Sequence, residues 1–391
     1  MASADSRLSP RLLSTAACAG MLVFGIVMAL VGALLPALAA RLSFDVGRAG
    51  ALFLWMNSSM LACSLLLGAL MDCYGLKAPL AAGPFLTAAA LLLFHRAASF
   101  EALLPAAALL GAGGAAVNAG SNTLIADLHP DPARKSAALN LLGVFFGFGA
   151  LLLPLGLGAV VASAGAAPVL AAAAALCLAA GLYSSLPRYP APKRRDGLRL
   201  REVPALLRAP TLALAGLLLF FESGVEFTLG GYLTLFLTRH AGLSIPAASW
   251  VLAGYWAALM LARVLLSRLL PGRDPHATVL ACALASAAAT LLAAAAPQAW
   301  LAAAALVAAG AALAGIFPTV LGILGARFQQ RSGTVFGLVM ALALCGGISM
   351  PWAAAHIASG PGLPWVLALV AAAFCAIAAL SLRLRASARP S

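Results

Sequence analysis

Two carboxyl groups, Glu222 and Glu226, lie inside one apolar run from Pro210 to Leu237. They are the only acids in the chain that fall clearly within such a run. A carboxylate in hydrocarbon costs several kcal/mol, roughly 2.5 to 3.5 on insertion scales. A spacing of four residues puts both on one helix face. Desolvation favours the neutral form of a carboxyl, and a second carboxyl nearby favours it further in one of the two. A neutral carboxylic acid also donates a hydrogen bond, which suits a hydroxyl-bearing ligand. Proton binding and release at membrane depth is the chemistry these residues point to. The alternative is a neutral glutamate satisfied by a neighbouring helix, or a Glu226 near the outer mouth.

Other polar groups fall inside apolar runs. Asn118, Asn122 and Asn140 carry amides, whose paired donors and acceptors suit sugar hydroxyls; they serve equally well as glue between helices. Trp55, Tyr232, Tyr255, Trp256 and Trp352 offer faces on which a sugar ring could stack, or ordinary packing surface. Arg263 lies about seven residues from the end of its run, placed to snorkel inward or to pair with an acid such as Asp72 at a gate. The five histidines are isolated, and no HExxH, GxSxG or Walker pattern occurs, so no enzyme activity, metal site or cofactor is expected. Gly147-Phe148-Gly149 and Gly156-Leu157-Gly158 follow no strand and read as close helix packing, not phosphate loops. Seven scattered cysteines without a CxxC pair read as small buried hydrophobes.

The elements that hold these residues follow from composition. The 391 residues are 63% hydrophobic and only 9% charged, with a mean hydropathy of +1.03. A soluble domain carries about 25% charged residues, so this chain belongs in a bilayer. Apolar runs fall at about 14–40, 48–71, 78–95, 102–126, 137–162, 168–187, 210–237, 247–270, 276–296, 299–325, 333–358 and 364–382. Each is near the roughly 20 residues that span hydrocarbon. Without strand-type alternation, all twelve are expected to be helices. The first run is too long for a cleaved leader and is read as the first span.

The longest polar gap, 188–209, divides the chain into bundles at 1–187 and 210–391, joined by a basic linker. Placing both termini in the cytoplasm puts 19 of the 24 Lys and Arg on that side, as the positive-inside rule prefers. Trp250, Trp300 and Trp365 then open their spans at the outer interface. The net charge of +13 is thus explained by orientation and by anionic lipid, and no nucleic-acid partner is expected. The halves repeat at an offset of 197: Gly113 with Gly310, Arg134 with Arg331, Gly149 with Gly346, and Pro154 with Pro351. Parallel repeats of this kind enclose a midplane site.

After the second run comes Gly68-Ala69-Leu70-Met71-Asp72-Cys73-Tyr74-Gly75-Leu76-Lys77. This resembles the major facilitator signature G-x-x-x-D-[RK]-x-G-[RK]-[RK], with Cys73 and Leu76 where that family has bases. The resemblance implies two pseudo-symmetric six-helix bundles and a gating role for Gly68, Asp72, Gly75 and Lys77, with Arg263 as a further gate residue. A narrower resemblance runs through Asn118, Asn122, Asn140 to Ala150, Pro154, Gly224 to Tyr232, Trp256, Arg263 and Gly315 to Thr319. It is to the fucose, glucose and galactose proton symporters of that superfamily. That group often has His at the position of Gly143, and its coupling acid commonly lies in the first or fourth span. The first span here has no acid, and Asp127 lies at the cytoplasmic end of the fourth, so Glu226 and Glu222 are the expected substitutes.

The expectation is an all-α, multi-pass protein of the cytoplasmic membrane, monomeric, that moves a small sugar-like solute by alternating access with protons. A neutral polyhydroxylated solute is favoured, since only Arg263 is deep enough to meet an anion. Substrate contacts are expected from Asn118, Asn122, Asn140, Glu222, Glu226, Tyr232, Trp256 and Trp352. Proton-driven efflux of apolar or cationic compounds is the alternative within transport, and a non-transporting sensor or scaffold the alternative outside it.

Overall fold

A computed structural model describes residues 9–128, 132–190, 209–269, 273–328 and 332–388. Every regular element among them is a helix. The first six are α1 Pro10–Leu42, α2 Val46–Tyr74, α3 Lys77–Arg96, α4 Phe100–Leu128, α5 Pro132–Ala164 and α6 Ala167–Ser185. They are followed by α7 Pro210–Arg239, α8 Ile245–Leu269, α9 Pro275–Ala295, α10 Ala299–Leu313, α11 Ile316–Arg327, α12 Ser332–Ser359 and α13 Leu363–Ala388. Among the described residues, eleven segments are long and apolar enough to cross a membrane, with α10 and α11 counted together over Ala299–Gly325. The 29 residues of α2, about 44 Å at 1.5 Å per residue, bring the spans to twelve. The central linker residues 191–208 lie outside the described residues.

Local sequence explains where helices start and stop. Proline opens α7 behind an extended Ala209, where its missing N–H would have had no partner. Asp274 caps α9 by accepting the His276 amide at 2.9 Å. Gly75, the second glycine of the signature, has φ 84 and ends α2 in the left-handed region, which only glycine enters freely. The tenth run, expected as one helix, is broken at Ala314 and Gly315. The reason is Pro318: its ring crowds the carbonyl four residues back, at Ala314, and it has no N–H to continue the ladder.

The chain forms two compact units, one of residues 1–43 with 55–197, the other of 44–54 with 198–391. The start of α2 groups with the second unit. Within the first unit α1 packs most extensively on α5, and α3 on α4 and α6. Within the second, α7 packs most extensively on α12, and α9 on α13 and α10. The internal packing of one half is thus repeated in the other.

Gly149 and Gly346, equivalent at the offset of 197, occupy these paired crossings. A Cβ on Gly149 would run into the Leu22 carbonyl of α1, and one on Gly346 into the Phe220 carbonyl of α7. Pro154 and Pro351 both lie inside their helices, α5 and α12. The other glycine pair is not equivalent in space: Gly113 faces Thr87 on α3, whereas Gly310 faces Tyr255 on α8. The nearer counterpart of Gly310 is Gly111, which abuts the Met56 carbonyl of α2. The side chain of Arg134, and Arg331 altogether, lie outside the described residues.

A side chain at position 346 forces backbone apart, since the opposing atom is a carbonyl and not a flexible side-chain end. Gly346→Leu is therefore expected to cost about 3 kcal/mol, the upper end of the usual overpacking range. The check is size-exclusion behaviour and melting temperature in detergent, where a monodisperse, normally stable variant would contradict the crossing.

Candidate functional site

The carboxyl pair sits halfway along α7. Glu226 is sixteen residues beyond Pro210 in a 30-residue helix, about 24 Å along an axis of about 45 Å. Every residue from Glu222 to Leu237 is buried. A helix apolar all round is one enclosed by others, and α12, α13 and α8 are the helices that pack most on it. The two glutamates thus face protein and not lipid. Glu222 is 1% exposed and Glu226 9%.

The partner of this pair comes from α8. Arg263 Nη2 lies 3.9 Å from Glu226 Oε2. That is an ion pair by charge but too long for a hydrogen bond. The guanidinium therefore points to the middle of α7, not to the end of its own helix, and its acid partner is Glu226. Two turns earlier on the same face of α8, at the spacing 255, 259, 263, stand Tyr255 and the buried Leu259. Glu222, Glu226 and Arg263 all act electrostatically on Tyr255. Its hydroxyl is buried and makes no hydrogen bond among the described residues. The oxygens of Glu222 are likewise without a donor there, apart from the carboxyl of Glu226, with which a proton can be shared. Four ionisable groups in one buried cluster can take up, share and give up protons. Tyr255 as a polar member was missed in the sequence, although its register with Arg263 was legible.

Several expected solute contacts are closed to a solute in this structure. Glu222 has no surface to offer a solute in this structure. Tyr232 is 2% exposed; its hydroxyl donates to the Pro351 carbonyl at 3.1 Å, and its ring stacks on Phe53 at 5.8 Å. Trp256 is 2% exposed and lies over Gly230 of α7. Both are packing aromatics: Trp256 fits over Gly230, and Tyr232 stacks on Phe53, which itself fits over Gly231. Trp352 is exposed, with its ring 4.2 Å from that of His356.

In the first unit Asn122 Nδ2 donates to Asn118 Oδ1 at 2.8 Å and to the Asn118 carbonyl at 2.9 Å. Asn122 is exposed and Asn118 half-buried, so this amide pair is open on one side. Asn57, fully buried on α2, is a polar residue the sequence reading passed over. Of the signature, Gly75 caps α2 and Lys77 is exposed. The side chains of Gly68, Asp72 and Asn140 lie outside those described.

A multi-span helical chain with two internally repeated halves and an ionisable cluster inside a central helix defines a secondary membrane transporter. The Major Facilitator Superfamily profile matches residues 17–270, more than half of the chain, and the protein belongs to that family. No curated protein matches the sequence. Among solved structures it is similar to a mutant form of the Escherichia coli fucose:proton symporter FucP, with TM-score 0.67, 19% identity, and 96% and 98% of the two chains covered. It is also similar to a mutant form of the nucleoside transporter NupG, with TM-score 0.78, 13% identity, and 97% and 100% covered. A bacterial homologue of the human lysosomal transporter Spinster, inward-facing and unoccupied, gives TM-score 0.74, 16% identity, and 98% of each chain covered. At these identities the likeness is one of fold.

Proposed function

We propose that the protein is a proton-coupled symporter of a small sugar-like solute in the cytoplasmic membrane, with both termini inside. The observation that carries this reading is the buried pair Glu222 and Glu226, beside Arg263, halfway along α7. A carboxyl there has no structural need to be ionisable, and a buried ionisable group in a span is a functional one by default. Glu226 is the proton carrier, because it has the greater exposure of the two and an ion pair that protonation dissolves. Glu222 is its neutral partner. The halves expose the solute alternately, as parallel repeats around a midplane site do. The basic residues crowded at one end of the spans support the orientation.

A polyhydroxylated solute is supported by the open amide pair Asn118 and Asn122, and by two similar folds whose names are those of fucose and nucleoside carriers. Tyr232 and Trp256 are packed away and supply no face to a lipophilic cation. The test is a thermal-shift panel of sugars and their derivatives, nucleosides and tetraphenylphosphonium on the purified full chain. A ligand at one hundred times its Kd stabilises by about 2.7 kcal/mol. Polyhydroxylated compounds are expected to raise Tm. A shift from the lipophilic cation alone would transfer the assignment to efflux.

A further inference from the structure

We propose that the transported solute carries a single carboxylate, which binds Arg263 when Glu226 takes up its proton. This rests on Glu226 as the proton carrier and adds the charge of the solute.

The guanidinium of Arg263 has five N–H donors in a planar fork. Its Nε is buried and makes no hydrogen bond among the described residues. Its closest acid, Glu226, lies at 3.9 Å, beyond hydrogen-bond range. The side chain is 29% exposed, so it is not sealed within the protein as Glu222 is. A guanidinium held by charge alone, with donors unused, is built to accept a second, better-fitted anion. A carboxylate matches its geometry bidentately, which a sugar hydroxyl does not.

Charge balance points the same way. The ionised pair of Glu226 and Arg263 is neutral. When a proton from the outer water binds a carboxylate oxygen of Glu226, the guanidinium loses its counter-charge. One monoanion restores neutrality, and a neutral sugar does not. On release of the anion, Glu226 returns its proton to water and pairs again with Arg263. Each cycle moves one proton with one anion. By linkage, proton and anion raise each other's affinity by the same factor.

The groups that act within the cluster are Glu222 on α7 with Tyr255 and Arg263 on α8. Of the other helices packed on α7, α10 has no ionisable residue. On α11, α12 and α13 these are Arg327, Cys345, His356, Cys375, Arg383 and Arg385. None of them enters the cluster among the described residues. The balance is therefore set by two acids, a tyrosine and one cation.

The experiment uses the full chain in lipid nanodiscs. Melting is followed at pH 5.5 and pH 8 with gluconate, glucuronate and benzoate, each against its neutral amide. At least one carboxylate is expected to raise Tm, more at pH 5.5 than at pH 8, while its amide does not. Glu226→Gln leaves Arg263 free at every pH, so the acid shift is expected to become equal at both, with affinity at pH 8 raised about tenfold or more. Arg263→Gln removes the shift and Arg263→Lys weakens it. The lysine variant also guards against loss of folding, because it keeps the charge. No shift from any acid, or an undiminished shift in Arg263→Gln, overturns the inference. Stabilisation by a neutral sugar and by no acid overturns this inference alone. Acid binding that stays pH-dependent in Glu226→Gln overturns the proton-carrier reading beneath it.

Discussion

Glu222→Leu is expected to make the protein more stable and leave it unable to couple transport to protons. The side chain is fully buried, and its oxygens have no donor among the described residues beyond what Glu226 can share. A buried, unsatisfied polar group costs about 1–3 kcal/mol. Leucine has similar bulk, removes that cost and keeps the helix packed. Tm should rise by a few degrees, on the order of 2–4 °C per kcal/mol for a domain of some 200 residues. In vesicles, uptake driven by an inward proton gradient should fall at least about tenfold, the scale of a lost coupling of 1.4 kcal/mol. Lower stability with normal uptake would show Glu222 to be a structural residue with partners of its own.

The second large effect belongs to Glu226. Glu226→Gln keeps the shape and removes the exchangeable proton. Accumulation against a gradient should be lost, while exchange of labelled for unlabelled solute across the membrane continues, because exchange needs no net proton movement. The variant also leaves Arg263 without its counter-charge. With the pair at 3.9 Å, beyond hydrogen-bond contact, and the arginine side chain 29% exposed, the stability cost should be about 1 kcal/mol or less. Accumulation that still follows the pH gradient in this variant would remove Glu226 from the coupling step. The two variants are thus separated by the sign of their effect on Tm, although both lose coupling.

The fold was largely written in the chain. Membrane character, twelve spans and the equivalence of Gly149 and Gly346 follow from hydropathy and from one sequence offset; that both sit at helix crossings does not. The break at Ala314 was also legible, since Pro318 and Gly315 stand inside an otherwise continuous run, but hydropathy averages over such punctuation. The site was legible only along single helices. The spacing of Glu222 and Glu226 gives a shared face, yet nothing in one sequence says which helix that face meets. Position in its run left Arg263 to snorkel inward or to pair with an acid such as Asp72, and only the α7–α8 contact reveals Glu226 as its partner. Aromatics fail for a related reason. A tryptophan or tyrosine looks the same whether it stacks on a solute or fills a notch. Gly230 and Gly231, which make the notches for Trp256 and Phe53, reveal their meaning only once α7 has neighbours.

The glycine crossings carry a mechanical consequence. At Leu22 against Gly149, and at Phe220 against Gly346, two backbones touch with no side chain between them. Shear between packed helices needs side chains that can slide and repack; bare main chain has none. Each crossing behaves as a pin. Lengthwise slip of α7 on α12 would drive the Phe220 carbonyl against the side chains that flank Gly346, so the crossing favours pivoting and holds Glu226, on the same helix, at a set height against α12.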